Sequence, residues 1–289
     1  MKGIVLAGGN GTRLHPLTRS VSKQLMPVFD KPMIYYPISV LMLSGITDIL
    51  IVTKEEDQSA FQRLLGNGSE FGVRFTYVVQ DKPRGLAHAV ILAEDFIGES
   101  PFSLILGDNI FYGHGLPELL AEATRLERGA EVFAYQVADP TQYGVVTFSK
   151  DQQVLSLEEK PRKPASNFAV TGLYFYDNTA IAKAKTLKPS NRGELEITDL
   201  NRLYLEEGSL KATLMGRGYA WLDAGSHESL LEAGQFIASI EERQGMKIAC
   251  LEEIAYRTGL ISVDQLLDRA KAMRSSSYGA YLRKVARSD

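Results

Sequence analysis

The stretch that decides the fold is Gly-Ile-Val-Leu-Ala-Gly-Gly-Asn-Gly-Thr-Arg-Leu, residues 3–14. Its apolar part, residues 4–7, has the length and the β-branched content of a buried parallel strand. The glycines that follow allow tight turns, and the N–H groups of such a loop can bind an anion. Thr12 and Arg13 then add a hydroxyl and a permanent cation that can bind phosphate oxygens. This order of strand, glycine loop and arginine predicts a polyphosphate-binding loop.

The same loop has other interpretations. A dinucleotide-binding fold needs Gly-x-Gly-x-x-Gly, but Leu14 occupies the third glycine position and His15-Pro16 opposes a helix there. A P-loop needs Gly-Lys-Ser/Thr, and the sequence contains no such triplet. The loop could also be a plain turn without a ligand. The cations Arg13 and Lys23 close behind it favour the phosphate-binding interpretation.

The composition is that of a globular protein that needs no covalent staple. Of 289 residues, 45% are hydrophobic and 23% are charged, which suffices for a substantial core. The net charge of −3 argues against nucleic acid or an anionic membrane as a partner. The single cysteine, Cys250, excludes an internal disulfide and a cysteine metal cluster.

Two features of the chain predict a cytoplasmic location. Residues 1–3 lead directly into the first strand, so we expect no signal or transit peptide. No apolar run approaches the ~20 residues that a membrane-spanning helix needs.

Strands and helices alternate over residues 1–139. We predict strands at 48–53, 73–79, 101–106 and 131–137, and helices at 33–43 (with Pro32 in the first turn), 55–65, 86–97 and 117–128. Such alternation predicts parallel strands joined by right-handed crossovers. Because ligands of these sheets bind at the carboxyl ends of the strands, the glycine loop, Gln80 and Asp108 should meet at one edge.

The pattern changes after residue 140. We predict a hairpin at 144–158, a strand at 168–176, a further strand at 210–215 and a long helix from Ser226. Gly172 lies inside the strand at 168–176, which suggests that another group packs close to the backbone there. The fold class is therefore α/β, with a Rossmann-like, mixed but mostly parallel sheet flanked by helices.

Asp108 and Asp223 are the candidates for a metal site. Asp108 follows a buried strand, and Asp223 lies between an aromatic segment and a glycine turn. Each could instead be a turn residue or a helix cap. If the fold brings them together, their carboxylates could hold one Mg²⁺ on a nucleotide.

Seven longer motifs carry a resemblance to a known family. They are LAGGNGTRLHPLT (6–18), SKQLMPVFDKPMIYYP (22–37), GDNIFYG (107–113), SLEEKP (156–161), VTGLYFYD (170–177), RGELEITD (192–199) and GRGYAWLDAGSHESL (216–230). Through them the chain resembles the sugar-phosphate nucleotidylyltransferases and, more narrowly, the glucose-1-phosphate thymidylyltransferases, over nearly its full length.

The resemblance implies a fold of the nucleotide-diphospho-sugar transferase type with sugar-binding β insertions and a C-terminal helical subdomain. A catalytic domain would span residues 1–244, with 1–139 mainly binding nucleotide and 140–244 mainly binding sugar phosphate. Residues 245–289 would form a helical extension for oligomer contacts and regulation.

The activity implied by the resemblance is thymidylyl transfer from dTTP to α-D-glucose 1-phosphate with Mg²⁺, giving dTDP-glucose and pyrophosphate. A phosphate oxygen of the sugar phosphate would attack the α-phosphorus in line, without a covalent enzyme intermediate. The reaction would begin the synthesis of dTDP-sugars such as dTDP-rhamnose, which are precursors of cell-surface polysaccharides.

The resemblance also implies roles for individual residues. The catalytic group would comprise Arg13, Lys23, Asp108, Lys160 and Asp223, of which Asp108 and Asp223 bind Mg²⁺. The nucleotide would be bound by Gly8, Gly11, Thr12, Arg13, Lys23, Gln24, Gln80, Gly85 and Asp108. The sugar phosphate would be bound by Asn109, Tyr143, Gly144, Glu159, Lys160, Val170, Gly172 and Arg192.

One motif departs from the family pattern. The base-reading turn of the family usually runs Gln-Pro-Ser-Pro-Asp-Gly-Leu-Ala-Gln, whereas residues 80–88 run Gln-Asp-Lys-Pro-Arg-Gly-Leu-Ala-His. Gln80, Pro83 and Gly85 are retained, but Arg84 and His88 add a charge and a titratable group beside the base. We therefore do not expect a strict selection of dTTP over UTP, since a pocket rejects an analogue that lacks one methyl group only ~10–200-fold.

The family also implies a homotetramer, a dimer of dimers, with feedback by dTDP-rhamnose at a second site. From their position near the tail, the candidate regulatory residues are Arg217, Gly218, Ala249, Cys250, Glu253 and Arg257.

Three rival functions stay open: a nicotinamide-dependent oxidoreductase, a non-catalytic sugar-nucleotide sensor, and a uridylyltransferase of the same fold. The full set of site cations and carboxylates disfavours the sensor.

Overall fold

A computed structural model describes residues 1–82 and 84–287, with a nine-stranded mixed sheet at its centre and helices on both faces. The strands are β1 (Lys2–Ala7), β2 (Pro27–Val28), β3 (Lys31–Pro32), β4 (Asp48–Thr53), β5 (Arg74–Val79), β6 (Phe102–Leu106), β7 (Asn109–Gly113), β8 (Ala130–Gln136), β9 (Gly144–Phe148), β10 (Val154–Glu159), β11 (Phe168–Tyr176), β12 (Leu210–Met215) and β13 (Tyr219–Asp223). The helices are α1 (Tyr35–Leu43), α2 (Glu55–Leu65), α3 (Leu86–Leu92), α4 (Glu94–Ile97), α5 (Leu116–Ala123), α6 (Thr179–Thr186), α7 (Ile197–Glu206), α8 (His227–Gln244), α9 (Leu251–Arg257), α10 (Val263–Ala272) and α11 (Ser277–Val285).

The sheet combines a parallel half with an antiparallel half. Its main order is β10-β9-β11-β6-β1-β4-β5, and β8 continues from β11 to β12. Strands β5, β4, β1 and β6 are parallel, and Val5 of β1 lies between Ile51 and Ile105 of its neighbours. Strand β11 is antiparallel to β6 and β8, whereas β12 is parallel to β8. The predicted fold class is confirmed.

The central strands read as continuous apolar runs because helices cover both faces of the sheet. On one face α1, α2 and α5 pack with the C-terminal helices, and on the other α3, α4, α6 and α7 pack together. Leu251, Leu266 and Leu282 of the C-terminal helices are fully buried in the same hydrophobic cluster as Val5. The division of the chain at residue 244 stays a prediction, but α9 to α11 share the core of the main sheet.

Several predicted element ends need correction. Pro32 does not begin a helix; it lies in the short β2–β3 ribbon, and Pro37 occupies the first turn of α1. The helix predicted over 86–97 is two helices, which are separated at Ala93. The prediction for Pro83 lies outside the described residues.

The largest omission of the sequence analysis is a second ribbon. Residues 109–113 form β7, which pairs antiparallel with β13 and brings Asn109 opposite Asp223. This pairing joins two segments that lie far apart in the sequence and positions both candidate metal ligands. In the described part of the chain, none of the helices combines the length and the apolar character that crossing a membrane would require.

Candidate active site

The glycine loop leaves β1 and turns sharply before Arg13. Gly11 has φ +59°, and its carbonyl accepts a hydrogen bond of 2.7 Å from Thr18 Oγ1. A short 3₁₀ turn, Thr12–Leu14, follows and buries Leu14 in the core. A left-handed conformation favours glycine, so the loop path depends on the residue that the sequence supplies at position 11.

The loop forms one wall of a cavity of about 410 Å³. All nine predicted nucleotide-binding residues line this cavity: Gly8, Gly11, Thr12, Arg13, Lys23, Gln24, Gln80, Gly85 and Asp108. They come from the carboxyl ends of β1, β5 and β6 and from the segments that follow these strands. The convergence predicted from the alternation of strands and helices is therefore observed.

A second cavity of about 260 Å³ lies beside the first. It is lined by all eight predicted sugar-phosphate residues: Asn109, Tyr143, Gly144, Glu159, Lys160, Val170, Gly172 and Arg192. We call this the sugar-phosphate cavity and the first one the nucleotide cavity, after the residues predicted to line them. Five residues line both cavities: Arg13, Leu86, Leu106, Asp108 and Glu194. The two cavities thus form one cleft, and Arg13 and Asp108 lie where they meet.

Lys23 and Asp108 form an ion pair at this junction, and both side chains are largely buried. Asn109 Nδ2 also donates a hydrogen bond of 3.1 Å to Asp108 Oδ1. Burial raises the pKa of Asp108, but Lys23 and Asn109 outweigh it, so the pKa lies below its ordinary value. Asp108 is therefore held as a carboxylate.

Asp223 is in the opposite situation. Its Oδ1 is buried without a hydrogen-bond partner among the described residues, and burial together with the Asp108 charge raises its pKa to about 6. The Ala224 N–H donates to the Asp108 carbonyl at 3.1 Å, which ties the two segments together. Gly225 makes room for Arg13, because a Cβ there would lie 2.6 Å from Arg13 Nη2.

An unpartnered buried carboxylate oxygen beside a second carboxylate fits a divalent cation. The described residues contain no group of three or more histidine, cysteine, aspartate or glutamate side chains that could enclose a metal. Two protein carboxylates suit Mg²⁺, which commonly keeps its waters and takes further oxygens from substrate phosphates.

Asn109 organises one wall of the sugar-phosphate cavity. Its Oδ1 accepts from Trp221 Nε1 at 2.6 Å and from the Gly172 N–H at 3.0 Å. A Cβ on Gly172 would lie 2.5 Å from this same oxygen, so the close approach predicted at Gly172 is the Asn109 amide. The side chain of Asn109 is almost fully buried and therefore braces Asp108 and Trp221.

Two cations of the sugar-phosphate cavity, Lys160 and Arg192, are positioned by different contacts. Lys160 has φ +46°, and its N–H donates to the Tyr143 carbonyl at 3.0 Å. Arg192 donates to both Glu196 oxygens at 3.1 and 2.7 Å and to Glu159 at 3.1 Å. Glu159 also accepts from Thr198 Oγ1 at 2.5 Å.

Residues 84–88, which the resemblance assigns to reading the base, contact the segment that carries Arg192. The Leu195 N–H donates to the Arg84 carbonyl at 2.8 Å, and the Ala87 N–H donates to the Leu195 carbonyl at 3.2 Å. Gly85 has φ +98°, and a Cβ there would overlap the Leu195 carbonyl. Gln80 Nε2 lies 3.2 Å from His88 Nδ1.

Some lining residues were missed by the sequence analysis. Trp221, Glu196 and Thr198 line the sugar-phosphate cavity and hold Asn109, Arg192 and Glu159. All three lie within motifs that carry the family resemblance, which was the available signal. Their partners lie in other elements, so their contacts could not be read from the sequence.

The candidate regulatory residues lie in two segments. Arg217 and Gly218 form the turn between β12 and β13, while Ala249, Cys250, Glu253 and Arg257 lie at the start of α9 or within it. The Cys250 side chain is buried against Glu252, so a ligand would not reach its thiol in this conformation. Glu253 accepts from Arg257 at 3.0 Å and from the Tyr281 hydroxyl at 2.5 Å. Their regulatory role stays a prediction.

Comparison with known proteins gives consistent results. Residues 2–240 match the nucleotidyl transferase family model. Glucose-1-phosphate thymidylyltransferases from Neisseria meningitidis and Mycolicibacterium smegmatis are 57% identical over 285 residues and 55% identical over 282 residues. The aligned parts cover 99% of both chains in the first case and 98% of both in the second.

Solved structures with the same fold include two kinds of enzyme. A structure assigned as a Bacillus anthracis glucose-1-phosphate thymidylyltransferase, solved with sucrose, has a TM-score of 0.76 at 46% identity and covers 82% of this chain and 94% of its own. A UDP-glucose pyrophosphorylase solved with UDP-glucose has a TM-score of 0.74 at 28% identity and covers 84% and 99%.

Proposed function

The chain belongs to the nucleotidyl transferase family, and on that premise we propose that it transfers the thymidylyl group of dTTP to glucose 1-phosphate. The products are dTDP-glucose and pyrophosphate. The observation that carries the proposal is the meeting of two cavities at Arg13 and Asp108, because this reaction must bring a nucleotide phosphate and a sugar phosphate together. The thymidylyltransferases of 55–57% identity support the choice of substrates.

In this proposal a phosphate oxygen of glucose 1-phosphate attacks the α-phosphorus of dTTP. The new P–O bond forms in line with the bond from the α-phosphorus to the bridging oxygen, which breaks as pyrophosphate leaves. The glycine loop and Thr12 hold the triphosphate, and Arg13 stabilises the charge that develops on the α-phosphate of the transferred thymidylyl group. Lys23 neutralises the departing pyrophosphate, and the Lys160 and Arg192 cations orient the attacking phosphate.

Asp108 and Asp223 are the residues that would hold Mg²⁺. A bound Mg²⁺ would supply charge neutralisation on the phosphate oxygens of the nucleotide. The unpartnered Asp223 oxygen supports this assignment, since a buried carboxylate without a partner is otherwise costly.

A uridylyltransferase is the second candidate, because a UDP-glucose pyrophosphorylase shares the fold at 28% identity. The sensor and the oxidoreductase receive less support from the site. The cleft holds the cations Arg13, Lys23 and Lys160 together with both carboxylates, as a phosphoryl-transfer enzyme requires. Leu14, where a dinucleotide-binding loop has glycine, is buried in the core.

The deciding experiment is pyrophosphate release by purified protein with Mg²⁺ and glucose 1-phosphate, comparing dTTP and UTP at equal concentration. We expect release that depends on the sugar phosphate and that is faster with dTTP. Equal or faster release with UTP would replace the proposed donor, and no release with either would leave the sensor. Equilibrium titration with NADH tests the oxidoreductase.

We further propose a homotetramer that is inhibited by dTDP-rhamnose. Exposed Leu17, Phe29 and Leu231 line one apolar groove, which supports burial of this face in an oligomer. Sedimentation tests the tetramer, and unchanged inhibition in Arg257→Ala would refute the regulatory assignment. We also propose a cytoplasmic location, as the sequence analysis predicts.

A further inference from the structure

A glutamine of the nucleotide cavity, Gln80, is held by a histidine from the next helix. Gln80 leaves the end of β5, and its N–H donates to the Thr53 carbonyl at 2.8 Å. His88 lies in the first turn of α3, and its Nδ1 is 3.2 Å from Gln80 Nε2. The side chain of Gln80 is thus fixed by its own backbone at one end and by the imidazole at the other.

This contact decides which end of the Gln80 amide faces the cavity. The amide nitrogen can only donate a hydrogen bond, so Nδ1 of His88 accepts and the ring proton lies on Nε2. The amide oxygen is then on the side of the glycine loop, 3.2 Å from the position of a Cβ built on Gly8. Both Gln80 and Gly8 line the nucleotide cavity, so the Gln80 amide offers its acceptor oxygen on the cavity side.

We propose that His88 is a positioning residue that makes Gln80 present its oxygen and thereby selects a pyrimidine with an N3–H donor over cytosine. Thymine and uracil carry a hydrogen on N3, whereas N3 of cytosine is an acceptor and would face the Gln80 oxygen without a proton between them. The inference rests on the proposed nucleotidyl transfer and refines its base selection. It separates dTTP and UTP from dCTP, and it makes no distinction between the first two.

The surroundings keep the imidazole in the required neutral form. Burial lowers the pKa of His88, and the Arg84 charge lowers it further, whereas Asp81 opposes this effect. Arg84 and Asp81 are the charged groups that act on the ring, and they also contact each other at 3.2 Å. Near neutral pH the ring is therefore uncharged and can accept from Gln80.

Protonation would reverse this arrangement. A charged imidazole donates from both nitrogens. The N–H on Nδ1 would then oppose the N–H donor of the Gln80 amide, and no hydrogen bond could form between them. The amide would turn over to offer its oxygen to His88, and its nitrogen would then face the base. Acidic conditions should therefore weaken the preference for dTTP over dCTP even while the rest of the site is intact.

The test compares dTTP with dCTP in kcat/KM and in direct binding by calorimetry. His88→Ala removes the acceptor, and we expect the dTTP-to-dCTP ratio to fall about tenfold, the effect of one misplaced hydrogen bond. His88→Gln can accept through its own oxygen and should keep the ratio within about twofold. Arg84→Ala removes the neighbouring charge but leaves the Gln80 contact in place, so it should keep the ratio at about pH 8, where the ring is uncharged without that charge as well.

The pH profile supplies a readout that a purely structural role would not change. As the pH falls below the ordinary imidazole pKa of ~6.5, the ratio should begin to fall in the natural protein and should stay flat in His88→Gln, which cannot titrate. An unchanged ratio in His88→Ala, or an equal fall in His88→Gln, would overturn the inference. If the natural protein forms no product from dTTP, the proposed function fails, whereas the binding ratio still tests His88. If His88→Ala does not fold, the flat profile of His88→Gln decides.

Discussion

The two halves of the cleft are built from different material. Five of the sixteen residues that line the nucleotide half are glycines, which lie in the glycine loop, at Gly85 and at Gly225. The sugar-phosphate half consists of side chains that hold one another, such as Asn109 with Trp221 and Glu159 with Thr198. The nucleotide half should therefore be damaged when a glycine is replaced by a residue with a Cβ atom. The sugar-phosphate half should be damaged by removing a partner.

The candidate metal site should be the most sensitive point, because its Asp108 lines both halves of the cleft and the Asp223 carboxylate lies beside it. Asp223→Asn keeps the shape of the side chain but removes the charge that we assign to Mg²⁺. We expect kcat to fall by ~10²–10³ with the protein still folded, the loss typical of one electrostatic group in an active site. Pyrophosphate release over a range of Mg²⁺ concentrations and a thermal melt would measure both quantities.

Asp139→Asn is the matched control for this loss of charge. Asp139 is exposed, and its carboxylate accepts hydrogen bonds from Thr141 at 3.0 and 2.7 Å. Its substitution should leave turnover unchanged. Full activity of Asp223→Asn at every Mg²⁺ concentration would remove Asp223 from the metal site.

In the nucleotide half, Gly85→Ala should be the most damaging small change. The new Cβ would overlap the Leu195 carbonyl, and φ +98° is unfavourable for alanine. The overlap can be relieved by moving the turn or the Leu195 segment. Because Gly85 itself lines the nucleotide cavity, we expect the KM for dTTP to rise ~10–100-fold, more than that for glucose 1-phosphate, at a stability cost of ~1–3 kcal/mol. Steady-state kinetics with each substrate varied in turn would measure the change.

Gly45→Ala separates strain from steric overlap. Gly45 has φ +75°, but a Cβ there would meet nothing within 4 Å. It should lower the melting temperature without changing either KM. An equal rise of both KM values in Gly85→Ala would contradict the assignment of this turn to the nucleotide.

The nucleotide half was also the more predictable half from the sequence. Its residues follow β1, β5 and β6, and parallel strands bring their carboxyl ends to one edge whatever the details of packing. Gly11 and Gln80 could therefore be placed from the alternation of strands and helices alone. The register of neighbouring strands was not needed for that conclusion.

The sugar-phosphate half depends on contacts between distant segments. The sequence analysis predicts no strand over residues 109–113, because their partner, β13, lies more than a hundred residues further along the chain. Local periodicity carries no information about such a pairing, so the position of Asp223 opposite Asn109 could not be derived. The family motifs indicated residues that line this one cavity, and the Asn109–Trp221 contact joins two of those motifs.

Lys160→Ala tests whether the two halves bind separate substrates. Lys160 lines only the sugar-phosphate cavity of the two, and its ammonium is assigned to the sugar phosphate. We expect the KM for glucose 1-phosphate to rise about tenfold while that for dTTP changes little, since charged hydrogen bonds contribute ~1.5–3 kcal/mol. The exposed Lys163 provides the control, and Lys163→Ala should change neither value. Equal effects of Lys160→Ala on both substrates would contradict its placement.

The smallest predicted effect isolates a single supporting contact in the sugar-phosphate half. Thr198→Val keeps the volume but removes the hydroxyl that donates to Glu159 Oε2, while Arg192 still holds Oε1 of the same carboxylate. Because one of two supports is retained, we expect the KM for glucose 1-phosphate to rise about threefold and that for dTTP to stay constant. Thr213→Val removes the same kind of hydrogen bond, from Thr213 Oγ1 to Glu131 Oε1 at 2.6 Å between β12 and β8. Both variants should have a slightly lower melting temperature, but only Thr198→Val should change the KM for glucose 1-phosphate. A matching rise of this KM in Thr213→Val would mean that a general loss of stability, rather than the position of Glu159, is responsible.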